Sequence, residues 1–233
     1  MTLIKRSVII IENTTFKLIR DIGKVVYNLS QIVRIFVVYK VLPKGKAFKF
    51  LGGTMRFKTK ILDEVAIKRT LVRMTHEIIE KNKGVENLCL LGVKSRGVPL
   101  AKMLHDNILA FEGVDVPIGI LDTTRHRDDL SEETKNVKAG ECHFPCDVTD
   151  KIVIIVDDVM FTGRTTRAAI EAVFAFARPK AIQLAVLIDR GHRELPFKPD
   201  FVGKNVPTSS DEKIVLLLNE TDGQDGAFIC DVE

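Results

Sequence analysis

Hydrophobic positions in the middle of the chain recur at helical spacing. From Asp63 onward, Val65, Ile67, Leu71, Met74, Ile78 and Ile79 return every few residues. Asp63 suits the N-cap and Gly84 the C′ position, so this stretch predicts an amphipathic helix. A nearly continuous apolar run follows at 88–93 and predicts a strand buried on both faces. Residues 98–111 read as a helix, 116–121 as a strand and 152–156 as a very apolar strand. Residues 166–177 read as a helix, with Pro179 just beyond it, and 181–188 as a further strand. Short strands are expected at 201–203, 214–218 and 226–230. Such alternation predicts an α/β fold, a central parallel sheet flanked by helices. No internal repeat or low-complexity tract interrupts it.

Two stretches break the rhythm. Residues 122–147 are polar and charged, with Arg125, Arg127, Asp128, Asp129, Glu132, Glu133, Lys135 and Lys138. A connection that long inside a compact domain is usually functional or mobile. Residues 1–54 differ in composition. They hold 10 of the 35 Lys and Arg and 2 of the 31 Asp and Glu, a net +8. The other 179 residues carry 25 basic and 29 acidic groups, a net −4, so the chain's +4 says nothing of a basic main domain. Tyr27 and Tyr39 lie in the first segment, and Ala47 is its one alanine. A strand at 8–11 and an apolar stretch at 32–42, interrupted by Arg34 and Lys40, are its structural signals. Three readings stay open: an accessory strand–helix element, a basic arm touching RNA or membrane, or translated upstream sequence with Met55 as the true start. The Ile, Lys, Phe, Asn and Tyr bias, which AT-rich DNA gives, favours the last. The expected organisation is a domain over 55–233 and an extension over 1–54 outside the native domain.

No run approaches about 18 uninterrupted apolar residues, which excludes a transmembrane helix. The apolar stretch at 7–11 is too short for a signal-peptide core. Cys89, Cys142, Cys146 and Cys230, without a secretion signal, point to the cytoplasm and reduced thiols. Cys142-His143-Phe144-Pro145-Cys146 offers three zinc-ligand types at an unusual spacing with no fourth nearby. Cys89 and Cys230 fall on strands as core thiols.

The chemistry concentrates at 153–166, Val-Ile-Ile-Val-Asp-Asp-Val-Met-Phe-Thr-Gly-Arg-Thr-Thr. Its β-branched residues make a central strand, and open α/β sheets bind ligands at the carboxyl ends of their strands. Two adjacent carboxylates there, Asp157 and Asp158, are unfavourable unless ligand hydroxyls or a ligand-bound metal meet them. The following helix start offers free backbone N–H groups and a favourable dipole to a phosphate, and Gly163 lets the backbone approach. Thr162, Thr165 and Thr166 add hydroxyls. The segment reads as a cradle for a polyol phosphate such as ribose 5-phosphate. There is no P-loop and no dinucleotide-binding glycine motif.

This stretch resembles the phosphoribosyl pyrophosphate (PRPP) motif of type I phosphoribosyltransferases. Residues 187–196 and 201–208, with Ile61-Leu62-Asp63-Glu64 and Arg127-Asp128-Asp129-Leu130, are similar to the family of pyrimidine operon attenuation regulators, which are also uracil phosphoribosyltransferases. The likeness runs from about Met55 to Glu233. It implies the type I phosphoribosyltransferase fold with a hood, or flexible loop.

The resemblance also implies roles. Asp157 and Asp158 hold the ribose hydroxyls, and Thr162, Gly163, Arg164, Thr165 and Thr166 hold the 5-phosphate, mostly through backbone N–H groups. Lys94, Ser95, Arg96 and Gly97 match the pyrophosphate loop. The segment from Arg125 to Lys138 matches the hood, from which Arg127 reaches the pyrophosphate. Ile188 and Asp189 line the base pocket. Mg²⁺ enters with PRPP. The reaction implied is displacement of pyrophosphate by uracil to give UMP. His76, Arg193, Lys198 and Lys204 fall where the family contacts a leader-RNA hairpin in the presence of UMP or UTP. The family forms homodimers or higher homo-oligomers. The chain departs from the family in Val72, where a threonine is expected, in Lys198, where an arginine is expected, and in Arg125-His126, where Leu-Tyr is expected. The first two departures keep an enzyme-only paralogue as the alternative to a bifunctional enzyme and RNA regulator; the third bears on the hood. A regulator with little catalysis is the third reading.

Overall fold

In this computed structural model the described residues are 47–50, 53–128 and 140–232. The strand expected at 8–11, the apolar stretch at 32–42 and the hood residues Asp129, Glu132, Glu133, Lys135 and Lys138 lie outside them. The chain order is β1 (Ala47–Phe50), β2 (Gly53–Asp63), α1 (Glu64–Asn82), β3 (Leu88–Val93), α2 (Gly97–Glu112) and β4 (Ile118–Leu121). Then follow β5 (Ile152–Met160), α3 (Arg164–Phe176), β6 (Ala181–Asp189), β7 (Phe201–Asn205), β8 (Glu212–Leu217), the short α4 (Asn219–Asp222) and β9 (Gly226–Val232).

The expected α/β alternation is present. Five strands form a parallel sheet in the order β4-β3-β5-β6-β7, which places β5 at its centre. The run 88–93 is apolar throughout because successive side chains enter different layers. Leu88 and Leu90 join Ile154, Val156 and Leu187 under α1 and α2, against Ile67, Leu71, Met74, Ile78, Leu100, Leu104 and Ile108. Cys89 and Leu91 join Val153, Ile155 and Val186 on the opposite face, against Ala169, Ala172 and Val173 of α3. Each fully buried leucine contributes roughly 2 kcal/mol by leaving water.

Helix α1 begins where its cap dictates. Asp63 is extended, and its carboxylate accepts the Ala66 N–H at 2.8 Å. The left-handed residue at its far end is Lys83, φ 56°, with Gly84 following it.

Three features differ from the sequence reading. First, a four-stranded antiparallel sheet, β1-β2-β9-β8, stands apart from the parallel one. Its long strand β2 went unanticipated, although Met55, Phe57, Thr59 and Ile61 alternate with Arg56, Lys58 and Lys60 at strand period. Second, β1 pairs with β2 from Ala47 opposite Arg56 to Phe50 opposite Gly53, so pairing crosses the composition break near 54. Third, β5 continues through the acid pair to Met160, because β6 keeps pairing with it as far as Met160 opposite Asp189. The connection to α3 shrinks to residues 161–163.

Candidate active site

The carboxyl end of β5 carries Asp157 and Asp158, both half-buried. They are not ion-paired at hydrogen-bond distance to any cation the structure describes. Instead Asp157 accepts the Asp158 N–H at 2.9 Å and Asp158 accepts the Val159 N–H at 2.8 Å. Burial, followed by the Asp158 charge, pushes the Asp157 carboxyl well above the usual range, and the Arg127 charge opposes it. Burial raises Asp158 too. Hydrogen bonds from the Asp157 side and from Val159, and the charge of Arg96, oppose that rise.

Helix α3 starts beyond them at Gly163, φ 94°, a conformation that suits glycine. An added Cβ would come within 3.3 Å of Leu195 Cβ. Gly163 O accepts the Arg167 N–H at 2.9 Å, so the N–H groups of Thr165 and Thr166 are left without a partner inside the helix. The hydroxyls divide. Thr162 Oγ1 accepts the Arg164 N–H at 3.4 Å, and Thr165 Oγ1 accepts from Arg127 Nη1 at 3.4 Å. Thr166 is buried, its hydroxyl turned onto Met160 Sδ at 3.4 Å, so of its polar groups the backbone N–H remains for a ligand. The Arg164 guanidinium donates to Glu194 Oε2 at 2.7 Å and to Asp128 Oδ2 at 2.7 Å. Arg167 adds a bond to His126 O at 2.8 Å, so the chain leading out of β4 is tied to α3.

The turn 94–97 ends β3 beside this site, and its Lys94–Ser95 peptide bond is cis. Gly97 makes the juxtaposition possible: a Cβ there would lie 2.2 Å from Val156 O and 3.3 Å from Asp157 Cα. Both cations of the turn have acidic partners that sequence reasoning missed. Lys94 Nζ lies 3.2 Å from Asp122 Oδ2. Arg96 grips Asp222 with both terminal nitrogens, Nη2 to Oδ1 at 2.9 Å. Stripping Arg96 from so buried a carboxylate typically costs about 3–5 kcal/mol. Asp122 sits one residue past β4, at the first position of the long polar connection, a weak sequence signal. Asp222, on a single helical turn, carried none.

On the far side of the site, Ile188 is buried in the core, so it offers a ligand backbone groups only. Asp189 is bound on both oxygens: Oδ1 accepts the Gly191 N–H at 3.0 Å and Oδ2 accepts from Arg193. Arg193 also donates through Nε to Phe197 O at 2.8 Å. A cavity of about 720 Å³ collects Asp189, Arg193, Glu194, Phe197 and Lys198. The structure thus brings two of the four expected RNA-binding residues, Arg193 and Lys198, together with Asp189, the acid expected in the base pocket. His76 sits elsewhere, on α1, its ring stacked on Phe111 of α2 with centroids 4.6 Å apart. Lys204, on β7, donates to Ile61 O at 3.1 Å. The 142–146 segment does not gather ligands. His143 pairs by backbone with Ile120, and Cys142 Sγ accepts the Asp122 N–H at 3.4 Å. Among the described residues no group of three or more His, Cys, Asp or Glu is placed to hold a metal ion.

Comparison with known proteins agrees with this fold. The model of the phosphoribosyl transferase domain matches residues 58–217. The bifunctional protein PyrR of Acetivibrio thermocellus is 56% identical over 178 residues, covering 76% of this chain and 96% of that protein. The bifunctional protein PyrR of Clostridium beijerinckii is 51% identical over 177 residues, 76% of this chain and 99% of that one. Among solved structures, the hypoxanthine phosphoribosyltransferase of Trypanosoma cruzi superposes with a TM-score of 0.58 at 19% identity. That match covers 76% of this chain and 98% of the enzyme. A hypoxanthine-guanine phosphoribosyltransferase of Bacillus anthracis gives 0.57 at 21% identity, covering 77% and 99%. At such identities the two structures speak for the fold alone.

Proposed function

The chain belongs to the phosphoribosyl transferase domain family and, within it, to the bifunctional PyrR proteins, and from that premise we propose that it is a uracil phosphoribosyltransferase that also binds pyrimidine-operon leader RNA when UMP or UTP is present. The observation that carries the enzymatic half is the acid pair at the end of the central strand, facing an open helix start and flanked by the cationic turn 94–97. A ribose lies with its hydroxyls on Asp157 and Asp158 and its 5-phosphate on the N–H groups of residues 163–166. Its pyrophosphate then lies toward Lys94 and Arg96.

Uracil N1 bonds to ribose C1 while the C1–oxygen bond to pyrophosphate breaks. Pyrophosphate takes the electron pair, and the N1 proton is released. The residues act by positioning and by charge. Asp157 and Asp158 offset positive charge developing on the ribose. Lys94, Arg96 and Arg127 stabilise the departing diphosphate. The donor set fits Mg²⁺ carried in by PRPP: two half-buried carboxylates without a close cation, and no all-protein cage among the described residues. Asp157 and Asp158 would face such an ion, which would supply charge neutralisation to the departing diphosphate.

For RNA, Arg193 and Lys198 on the cavity rim, with Lys204 and His76, supply cations and a stacking ring. The reading includes a homodimer or higher homo-oligomer, a cytoplasmic setting and a catalytic domain over residues 55–233. Among the described residues no helix is long and apolar enough to cross a membrane.

One observation favours the alternative, an enzyme without RNA binding: Arg193 is already bonded within the protein to Asp189 and Phe197. A gel-shift titration against a pyrimidine-operon leader hairpin, with and without UMP, decides. Nucleotide-enhanced, salt-sensitive binding is expected. No binding at micromolar protein, with UMP synthesis intact, leaves the enzyme alone.

A further inference from the structure

We propose that Asp122 and Asp222 are positioning residues of the leaving-group site, each holding one cation of the 94–97 turn where a diphosphate meets it. The inference rests on the reading of that turn as the pyrophosphate loop. Neither acid is accessible: the Asp122 side chain is 4% exposed and that of Asp222 is 0% exposed. A carboxylate so placed persists only when cations and N–H donors occupy its lone pairs. Both are so occupied. Asp222 takes both Arg96 terminal nitrogens, and the Leu218 N–H reaches its Oδ2 at 2.9 Å. Asp122 takes Lys94, the Thr124 N–H at 2.9 Å and the Gly140 N–H at 3.0 Å.

Their anchors are backbone, from chain far from the turn. Asp222 ends α4, between β8 and β9, and its N–H closes on Leu218 O at 2.6 Å. Asp122 is held by backbone from both sides of the long polar connection. Gly140 fits there because a Cβ would lie 2.5 Å from Lys94 Nζ and 2.7 Å from Asp122 Oδ2. The cations, by contrast, stay reachable: the Lys94 side chain is 51% exposed and that of Arg96 24%. A buried acid with both oxygens already engaged is poorly placed to serve ligand hydroxyls. What it presents to the site is the cation it restrains. A long cationic side chain held in advance loses less rotamer freedom when an anion arrives, which strengthens binding of that anion selectively. Loss of either acid therefore weakens the diphosphate-bearing ligands and spares the base.

The test uses the full chain, steady-state kinetics in both substrates with Mg²⁺, and product inhibition by pyrophosphate. Asp222→Asn keeps the shape and removes the charge. It is expected to raise the PRPP KM and the pyrophosphate inhibition constant together by about tenfold, with uracil KM within about twofold. Arg96→Gln should do the same, and the double variant should be no worse than Arg96→Gln alone, because the two residues act as a unit. Asp122→Asn, paired with Lys94→Gln, repeats the cycle on the other cation and decides the matter where Asp222→Asn fails to fold. If Arg96→Gln weakens pyrophosphate inhibition and Asp222→Asn does not, positioning is overturned. Equal rises in both substrates' KM for Asp222→Asn overturn it as well. If neither Arg96→Gln nor Lys94→Gln changes pyrophosphate inhibition, the pyrophosphate-loop reading itself fails.

Discussion

Four carboxylates gather near the carboxyl ends of β4 and β5 and near α4, and they fall into two regions with opposite electrostatics. Asp157 and Asp158 stand side by side with backbone N–H donors and each other for company. Burial and mutual repulsion hold Asp157 well above its ordinary range. Asp122 is more deeply buried than either, yet it titrates lower than usual. Burial pushes it up, and bonds from Thr124, Gly140 and Lys94 more than offset that. The lesson is that burial does not mark a ligand-binding acid; lack of a cationic partner does. By that criterion the β5 pair is built to receive something, and Asp122 and Asp222 are built to hold something. Asp189, bonded to Gly191 and Arg193, sorts with the second group.

The largest effect is expected of Asp158→Asn. If the unpaired acids do the chemistry, UMP synthesis falls by about 100-fold to 1000-fold in kcat, with the circular dichroism spectrum of a folded protein. A full rate would remove Asp158 from the site.

Stability gives the second contrast, with opposite signs. A carboxyl raised in the folded state favours folding when protonated, so its contribution is lost as pH rises from the unfolded value toward the folded one. Asp157→Asn should therefore raise the melting temperature at neutral pH, by roughly 2–4 °C for about 1 kcal/mol, and the gain should vanish in acid. A carboxyl lowered in the folded state contributes above its unfolded value and loses that contribution as pH falls through the folded one. Asp122→Asn should lose about 1–2 kcal/mol at neutral pH, and the deficit should shrink toward pH 3. Melting curves across pH check both. Two profiles of the same sign would end the distinction.

Asp189 and Arg193 give a finer test. Arg193 restrains Asp189, and if Asp189 serves the base as proposed, Arg193→Ala should raise uracil KM several-fold as well as weaken RNA binding, so the two activities do not separate there. Lys198, exposed on the same cavity, should separate them. The smallest expected effect is that of Lys198→Ala: RNA affinity falls uniformly across hairpin sequences, the salt slope drops by about 1, and uracil KM stays put. Filter-binding titrations at several salt concentrations read it out.

Features that depend on neighbours along the chain are written in the order of the residues. The Asp63 cap, the apolar runs of β3 and β5, the acid pair and the glycine ahead of α3 were all legible there. Each is a local matter of periodicity or backbone freedom. The strand β2 is legible too, in its alternation, although it begins at the composition break near residue 54.

Tertiary structure decided which charges meet. Lys94 finds Asp122 across 28 positions and Arg96 finds Asp222 across 126. It turned Thr166 and Ile188 inward, and joined Arg193 to Asp189 across the turn at Gly191. The reason is physical. A side chain's charge and hydroxyl are written in its letter, but its partner, its burial and hence its titration are set by the chain that folding lays against it.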